Sequence, residues 1–190
     1  MASQLVLVGI GGFLKRFFEH LSCLAALVLL SSCGLTQARP VTELVTVEYQ
    51  KISLTLSMTI DSTMGSGQPW MADFEIRNNG LSAVSLLPWG TPWEGVFSRK
   101  LFNIESAGRK IQYIGPMIKR SPPSVRDYIE IKPGASQLVK LNLSSGYNLE
   151  DSGDYSLTYQ PGSLSLINQK QAFVVAAPSM ATIAVQVGQK

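Results

Sequence analysis

Hydrophobic and polar residues alternate strictly along residues 52–60, where Ile, Leu or Met occupies every even position and Ser or Thr every odd one. A period of two is typical of a β-strand with one buried face. The alternation returns over residues 70–77, and Asn78, Asn79 and Gly80 then provide residues that favour a turn. Both segments are therefore predicted to be β-strands.

Eight further segments are predicted to be strands, separated by turn-like sequences, and no amphipathic helix of ordinary length competes with them. The sequence shows neither a β-α alternation nor an internal repeat, which favours two packed antiparallel sheets over a parallel one. The prediction is an all-β fold with a single β-sandwich domain. The eight segments are residues 84–87, 101–105, 110–114, 127–131, 137–143, 154–160, 172–176 and 182–187.

A local motif refines this fold class. Asp151, Gly153 and Tyr155 have the spacing of the Asp-x-Gly-x-Tyr corner of immunoglobulin-type sandwiches, in which the tyrosine hydroxyl bonds to upstream backbone. Leu157 stands where antibody domains place a cysteine, so an aliphatic contact is expected instead of the disulfide. The prediction is an immunoglobulin-like antiparallel β-sandwich; a chance occurrence of the motif is the alternative.

The N-terminus has a different character. Lys15 and Arg16 precede an apolar run at residues 21–30, which is too short to cross a hydrocarbon layer of ~30 Å at ~1.5 Å per helical residue. The run ends in Ser-Ser-Cys-Gly at residues 31–34, which resembles the lipobox of bacterial lipoprotein signal peptides. The resemblance implies cleavage before Cys33 and acyl chains, including palmitate, on that cysteine. Gly34, rather than an aspartate, then implies the outer membrane of a Gram-negative cell.

Three segments follow from this interpretation. Residues 1–32 are predicted to be a lipoprotein signal peptide, residues 33–43 the lipidated cysteine with a short tether, and residues 44–190 the β-sandwich domain. A leader that ends in cysteine by chance is the alternative to the first two.

The composition limits the kinds of partner and catalytic site that this chain can have. The chain has 190 residues, of which 45% are hydrophobic and 15% charged, and its formal charge of +3 is too small and too scattered to indicate a nucleic-acid partner. His20, Cys23 and Cys33 all fall within the first 33 residues, so the remaining chain cannot form a histidine-based zinc site, a Ser-His-Asp triad or a Cys-His pair. We expect no metal and no cofactor. Acid-base catalysis by two carboxylates is the remaining enzymatic option.

Two irregular segments contain the candidate binding residues. Residues 89–95 place two tryptophans in a Gly- and Pro-containing loop, and residues 113–120 lead from a predicted strand into a segment that ends in Lys-Arg. Trp and Arg are preferred anchors of protein interfaces, although a tryptophan can equally cover the end of a sandwich core. We predict Trp93 and Arg120 as anchors and Glu94 as a rim contact. The full candidate partner-binding set is Trp89, Trp93, Glu94, Tyr113, Lys119 and Arg120.

These two segments also carry a family resemblance. Together with residues 74–80, Pro123 and residues 127–128, they occur in an order that resembles the non-catalytic N-terminal region of deuterolysin-like (aspzincin) zinc endopeptidases, including the peptidyl-Lys type. The resemblance covers about residues 45–160. Those enzymes continue into a helical catalytic domain with His-Glu-x-x-His and an aspartate ligand, whereas this sequence continues with strand-like stretches. No catalytic residue is carried over.

The resemblance implies a non-enzymatic binding module, anchored to the outer membrane by lipid. Its expected partner is a metalloendopeptidase that it inhibits, assists in folding or retains. A structural or adhesion-type envelope lipoprotein that binds glycan or an envelope protein is the alternative. A carboxylate-based enzyme is the third hypothesis.

Overall fold

The computed structural model describes residues 38–149 and 151–188, and strands form about half of these residues. Short 3-10 turns occur at Pro92–Glu94, Val125–Asp127 and Leu143–Ser145. The strands, in chain order, are β1 (Pro40–Tyr49), β2 (Ile52–Asp61), β3 (Thr63–Met64), β4 (Met71–Asn78), β5 (Val84–Leu86), β6 (Phe102–Ser106), β7 (Arg109–Lys110), β8 (Ile129–Ile131), β9 (Ser136–Asn142), β10 (Gly153–Tyr159), β11 (Ser163–Asn168), β12 (Gln171–Ala176) and β13 (Ile183–Val187).

The strands form three sheets. The first has the order β1-β2-β4-β9, the second β3-β13-β10-β6-β7, and the third β12-β11-β5-β8. Neighbouring strands are antiparallel, apart from the short parallel pair of β13 and β3. The sheets pack in a sandwich-like arrangement around one hydrophobic core. The predicted all-β sandwich is confirmed.

The alternation in the sequence determines which face of the first sheet is buried. Leu56 pairs with Ile76 and Met58 pairs with Phe74 across β2 and β4. Directly paired residues in an antiparallel sheet point to the same face, so the two hydrophobic rows combine into one surface. All four side chains are fully buried. Burying such a side chain is worth roughly 1.5–3 kcal/mol, which makes this face a main source of stability.

Aromatic rings connect the first sheet to the second. The ring of Phe74 on β4 lies 5.4 Å from that of Tyr159 on β10 and 6.1 Å from that of Phe102 on β6, measured between centroids. Trp70, just before β4, meets Tyr155 on β10 edge-on at 5.0 Å. Tilted and edge-on pairs at these distances are favourable beyond their area burial. Aromatic rings therefore contribute part of the contact between the two sheets, within a core that is otherwise mostly aliphatic.

The predicted corner bond is present. The Tyr155 hydroxyl donates to the carbonyl oxygen of Asp151 at 2.9 Å, and burial raises the pKa of that hydroxyl. Leu157, two residues further on, is fully buried, as expected for an aliphatic contact in place of a disulfide. The immunoglobulin-like topology itself stays a prediction.

Two boundaries differ from the predictions. β1 begins at Pro40, inside the segment predicted to be a tether up to residue 43. The strand predicted at 110–114 is reduced to Arg109–Lys110, after which Tyr113 forms only an isolated bridge with Tyr147. The chain leaves the sheet there because the Tyr113 ring packs against Phe97 and Tyr147 instead of continuing along β6.

The β11–β12 hairpin is a further difference, since no strand was predicted at residues 163–168. Its two-residue turn consists of Gln169 and Lys170, both with positive φ (48° and 67°). Such turns are normally marked by Asn or Gly, which tolerate this conformation. The sequence therefore lacks the usual sign of a hairpin here.

One buried amide joins the first and third sheets. The side-chain nitrogen of Asn78, at the end of β4, donates to the carbonyl oxygens of Ser82 (2.8 Å) and of Ile131 on β8 (2.9 Å). Its side-chain oxygen accepts from the amide of Gly80 at 2.9 Å. Asn78 is fully buried, so water cannot replace these bonds if the side chain is removed.

We predict that Asn78→Ala lowers the free energy of unfolding by about 2–4 kcal/mol, because one buried carbonyl, one partly buried carbonyl and one amide lose their partner. Urea denaturation measures this. The matched control is Asn79→Ala, which removes one exposed side-chain bond to Thr55 and should cost less than about 1 kcal/mol. Equal losses in the two variants would contradict the role of Asn78.

Candidate functional site

The segment at residues 88–95 is folded by its own hydrogen bonds. Thr91 bonds to the carbonyl oxygen of Pro88 through both its amide (3.0 Å) and its hydroxyl (2.6 Å). The 3-10 turn Pro92–Glu94 follows and ends at Gly95, which has a φ of 79° and donates its amide to Pro92 at 2.9 Å. This turn sets the direction of the Glu94 side chain.

Glu94 connects four parts of the site. One carboxylate oxygen accepts from the Gly90 amide at 2.8 Å and from the Ser98 hydroxyl at 2.6 Å, and the other pairs with the Arg120 guanidinium. Only 10% of the Glu94 side chain is exposed. The Arg120 guanidinium carbon also lies 4.9 Å from the centre of the Trp89 ring, a cation-π distance. We call Trp89, Glu94 and Arg120 the Arg120 clamp.

Backbone bonds hold the second segment, residues 113–120, along its length. The amide of Ile114 donates to Gly146 at 2.8 Å, and that of Ile118 donates to Ser98 at 2.9 Å. Between them the Tyr113 hydroxyl donates to the Pro116 carbonyl at 2.7 Å. A Cβ at Gly115 would lie 2.6 Å from that hydroxyl oxygen, so a larger residue here would displace the Tyr113 side chain. The two candidate segments therefore lie side by side.

A cluster of three aromatic side chains packs against the second segment. Tyr113, Phe97 and Tyr147 lie 5.4–5.7 Å apart between ring centroids. The Tyr147 hydroxyl donates to the carbonyl of Phe102 and accepts from its amide, both at 3.0 Å. Burial raises the pKa of Tyr147 to about 12 and also raises that of Tyr113. Both tyrosines are protonated at neutral pH and act as packing and hydrogen-bonding groups.

The structure corrects the role expected of Trp93. Its side chain is only 6% exposed and meets the Phe74 ring edge-on at 6.5 Å, so Trp93 covers the core and is not a surface anchor. Arg120 and Glu94 pair with each other, which leaves Glu94 largely buried instead of at a rim. Lys119 is exposed and makes no ion pair within the described residues.

Sequence reasoning missed the most exposed apolar residues of the site. Val96, Ile114, Met117 and Ile118 are between 47% and 73% exposed. The signal in the sequence was an Ile, Met and Ile within a Gly-Pro loop, with neither strand nor helix periodicity. We call these four residues the apolar patch.

The described part of the chain also contains a cleft on another part of the sandwich. A cleft of about 740 Å³ lies between β3, the start of β4 and the end of β13, and Asp61 and Asp154 are among its lining residues.

Across residues 38–149 and 151–188, no group of three or more His, Cys, Asp or Glu side chains is placed to hold a metal ion. No helix within these same ranges is long and apolar enough to cross a membrane. Cys33 and the predicted signal peptide lie outside the described residues.

No family model matches this chain. A stretch of 114 residues is 33% identical to part of a protein of Aeromonas hydrophila named "Extracellular protease". The match includes 57% of this chain and 32% of that protein, so the chain spans about a third of the length of its relative. The chain therefore contains a region related to part of an extracellular protease.

We predict that Arg120→Ala loosens residues 113–120, because the segment loses its ion pair to Glu94 and its contact with Trp89. Amide hydrogen exchange at Ile118, whose amide is bonded to Ser98, should become faster. The free energy of unfolding should fall by about 1–3 kcal/mol, because the largely buried Glu94 carboxylate loses its cationic partner. Lys119→Ala, one residue earlier on the same loop, is the matched control and should leave exchange unchanged. Equal exchange rates in both variants would contradict the clamp.

Proposed function

We propose that this chain is a non-enzymatic binding module of a metalloprotease system, which inhibits, folds or retains a protease of the deuterolysin-like type. The observation that carries the proposal is the 33% identity to part of an extracellular protease. Two thirds of that protein lie outside the match, which fits a module that accompanies a catalytic region instead of containing one.

The contacts within the site support a scaffold role. The Glu94 carboxylate is occupied by Gly90, Ser98 and Arg120, and the Arg120 guanidinium is occupied by Glu94 and Trp89. General acid-base catalysis needs a titratable group within hydrogen-bond reach of a substrate. The most concentrated set of polar side chains in the two candidate segments is instead used to hold those segments together.

The sequence segments that carry the deuterolysin-like resemblance also contact one another in the fold. Two of the sequence segments that carry the resemblance, residues 89–95 and 113–120, are in direct contact through the Glu94–Arg120 pair. A third, residues 74–80, contacts the first through the edge-on pair of the Phe74 and Trp93 rings. The resemblance thus falls on segments that are in contact with one another in the fold.

The proposed location is the outer membrane, with the chain attached through acyl groups on Cys33. The basis is the order of basic, apolar and small residues that ends at this cysteine. A lipid-anchored module would hold a secreted partner at the cell envelope.

Binding to a protease is the direct test. The full chain, purified in mild detergent, is mixed with the Aeromonas hydrophila extracellular protease, and complex formation is followed by biolayer interferometry alongside hydrolysis of casein. We expect a saturable complex together with altered proteolysis or altered protease stability. Serum albumin at the same concentration is the control. Absence of both a complex and any change in proteolysis would contradict the proposal, and hydrolysis by the chain alone would favour the enzyme hypothesis.

Lipidation is tested in a Gram-negative host grown with labelled palmitate. We expect label on the wild-type chain and none on Cys33→Ser, because only the cysteine after the cleavage site receives acyl chains. Cys23→Ser is the matched control and should retain the label. Loss of label in Cys23→Ser alone, or its persistence in Cys33→Ser, would overturn the anchor.

A further inference from the structure

The apolar patch is built from two segments that lie side by side. Ile118 donates its amide to the carbonyl of Ser98, two residues after Val96, so these two exposed side chains belong to adjacent stretches of backbone. Ile114 and Met117 precede Ile118 in the same loop, and Met117 is the most exposed of the four at 73%. Exposed apolar groups that gather on one surface, instead of being scattered, mark an interaction site.

The backbone beneath the patch is held in place. Residue 114 is bonded to Gly146, residue 118 is bonded to Ser98, and residue 120 is fixed by the clamp. Binding costs less conformational entropy when the contact residues are already ordered. Loops held by a rigid scaffold are also where binding residues are concentrated.

The charged groups near the patch are mostly cationic. The carboxylates beside them are Glu94, which pairs with Arg120, and Asp127, which accepts from Ser124 and lies within electrostatic reach of Arg120. Residues 96–100 and 111–120 contain four cationic side chains and no Asp or Glu. Arg99 is used within the chain, since it donates to the carbonyls of Gly90 (2.8 Å) and Pro161 (3.1 Å), and Arg120 is used by Glu94. Lys100 and Lys119 are exposed and make no ion pair within the described ranges. They give the patch a positive rim.

We propose that the apolar patch is the surface on which the partner protease docks, a proposal that rests on the function proposed above. The complementary surface is an apolar depression bordered by carboxylates. Met117 and Ile118 enter the depression, and Lys100 and Lys119 face the carboxylates. Rim charges of this kind raise the association rate and select the partner, while the apolar contacts determine how long the complex lasts.

A protein partner fits the surface better than a lipid bilayer. Tryptophan and tyrosine are the side chains enriched at the headgroup level of a membrane. Tyr113 is half-buried here, with its ring packed against Phe97. The tryptophan nearest the patch, Trp89, is instead half-buried and covered by the Arg120 guanidinium. A membrane-docking role is nevertheless an outcome that the test distinguishes.

The apolar contribution is tested with the double variant Met117→Asp/Ile118→Asp of the full chain. We expect its Kd for the Aeromonas hydrophila extracellular protease to rise by about tenfold or more, with an unchanged urea midpoint. Leu81→Asp is the matched control, because Leu81 is 99% exposed and lies outside the patch, and its Kd should equal that of the wild type. If the double variant binds as tightly as the wild type, the docking surface is wrong while the proposed function stands.

The rim is tested with Lys100→Glu/Lys119→Glu. We expect slower association and a weaker dependence on salt, with little change in the dissociation rate. Lys51→Glu/Lys132→Glu, at two exposed turn lysines, makes the same change of charge elsewhere and should leave both rates near those of the wild type. Equal effects of the two pairs would overturn the complementary rim.

Two further outcomes separate the proposals. If the wild-type chain forms no complex with the protease, the proposed function and the docking surface both fail. Partitioning onto vesicles containing phosphatidylglycerol is compared between the wild type and Met117→Asp/Ile118→Asp, since any lipid anchor contributes equally to both. A loss that is confined to vesicle binding would assign the patch to the membrane and overturn the protein partner.

Discussion

The position of the candidate site depends on a continuous series of aromatic contacts that begins between the two main sheets. Phe74 on β4 packs on Phe102 at 6.1 Å, Phe102 on Tyr147 at 6.2 Å, and Tyr147 on Tyr113 at 5.4 Å. Each ring is thus located by a more deeply buried one. Because protein interiors are closely packed, a shift in one ring displaces the next. The surface loop is therefore an extension of the core, although it contains almost no regular secondary structure.

The strands that can be predicted from the sequence are those in which hydrophobic and polar residues alternate. β2 and β4 follow a period of two because one face is buried along their whole length. β1 is harder to recognise, since Glu43 occupies a half-buried position in its inward-facing row and interrupts the hydrophobic alternation. The short β7 follows from a tertiary preference, because Tyr113 packs into the aromatic cluster. The hydrophobic period of a short segment cannot predict where a strand ends because of a contact with a distant residue.

The contact between the two candidate segments is compatible with the sequence pattern, but the roles of their residues could not be predicted from it. The sequence identified two segments that do meet, through Glu94 and Arg120. It could not tell that Trp93 faces the core while Trp89 lies nearer the surface, because an irregular loop has no repeating geometry from which a buried face can be deduced. Exposure of the loop at Ile118 likewise depends on a bond to Ser98, which is distant in sequence. Such contacts require the whole fold.

The turn between β11 and β12 makes the local stability of the sandwich uneven. Two successive residues without glycine's freedom, Gln169 and Lys170, occupy the left-handed region, at a cost of roughly 1–2 kcal/mol each. This cost is offset by the backbone hydrogen bonds between β11 and β12 and by the burial of residues such as Leu164 and Leu166. β12 also lies at the edge of the third sheet, with a partner on one side only. Fraying should therefore start at this outer ribbon, well before the aromatic interior separates.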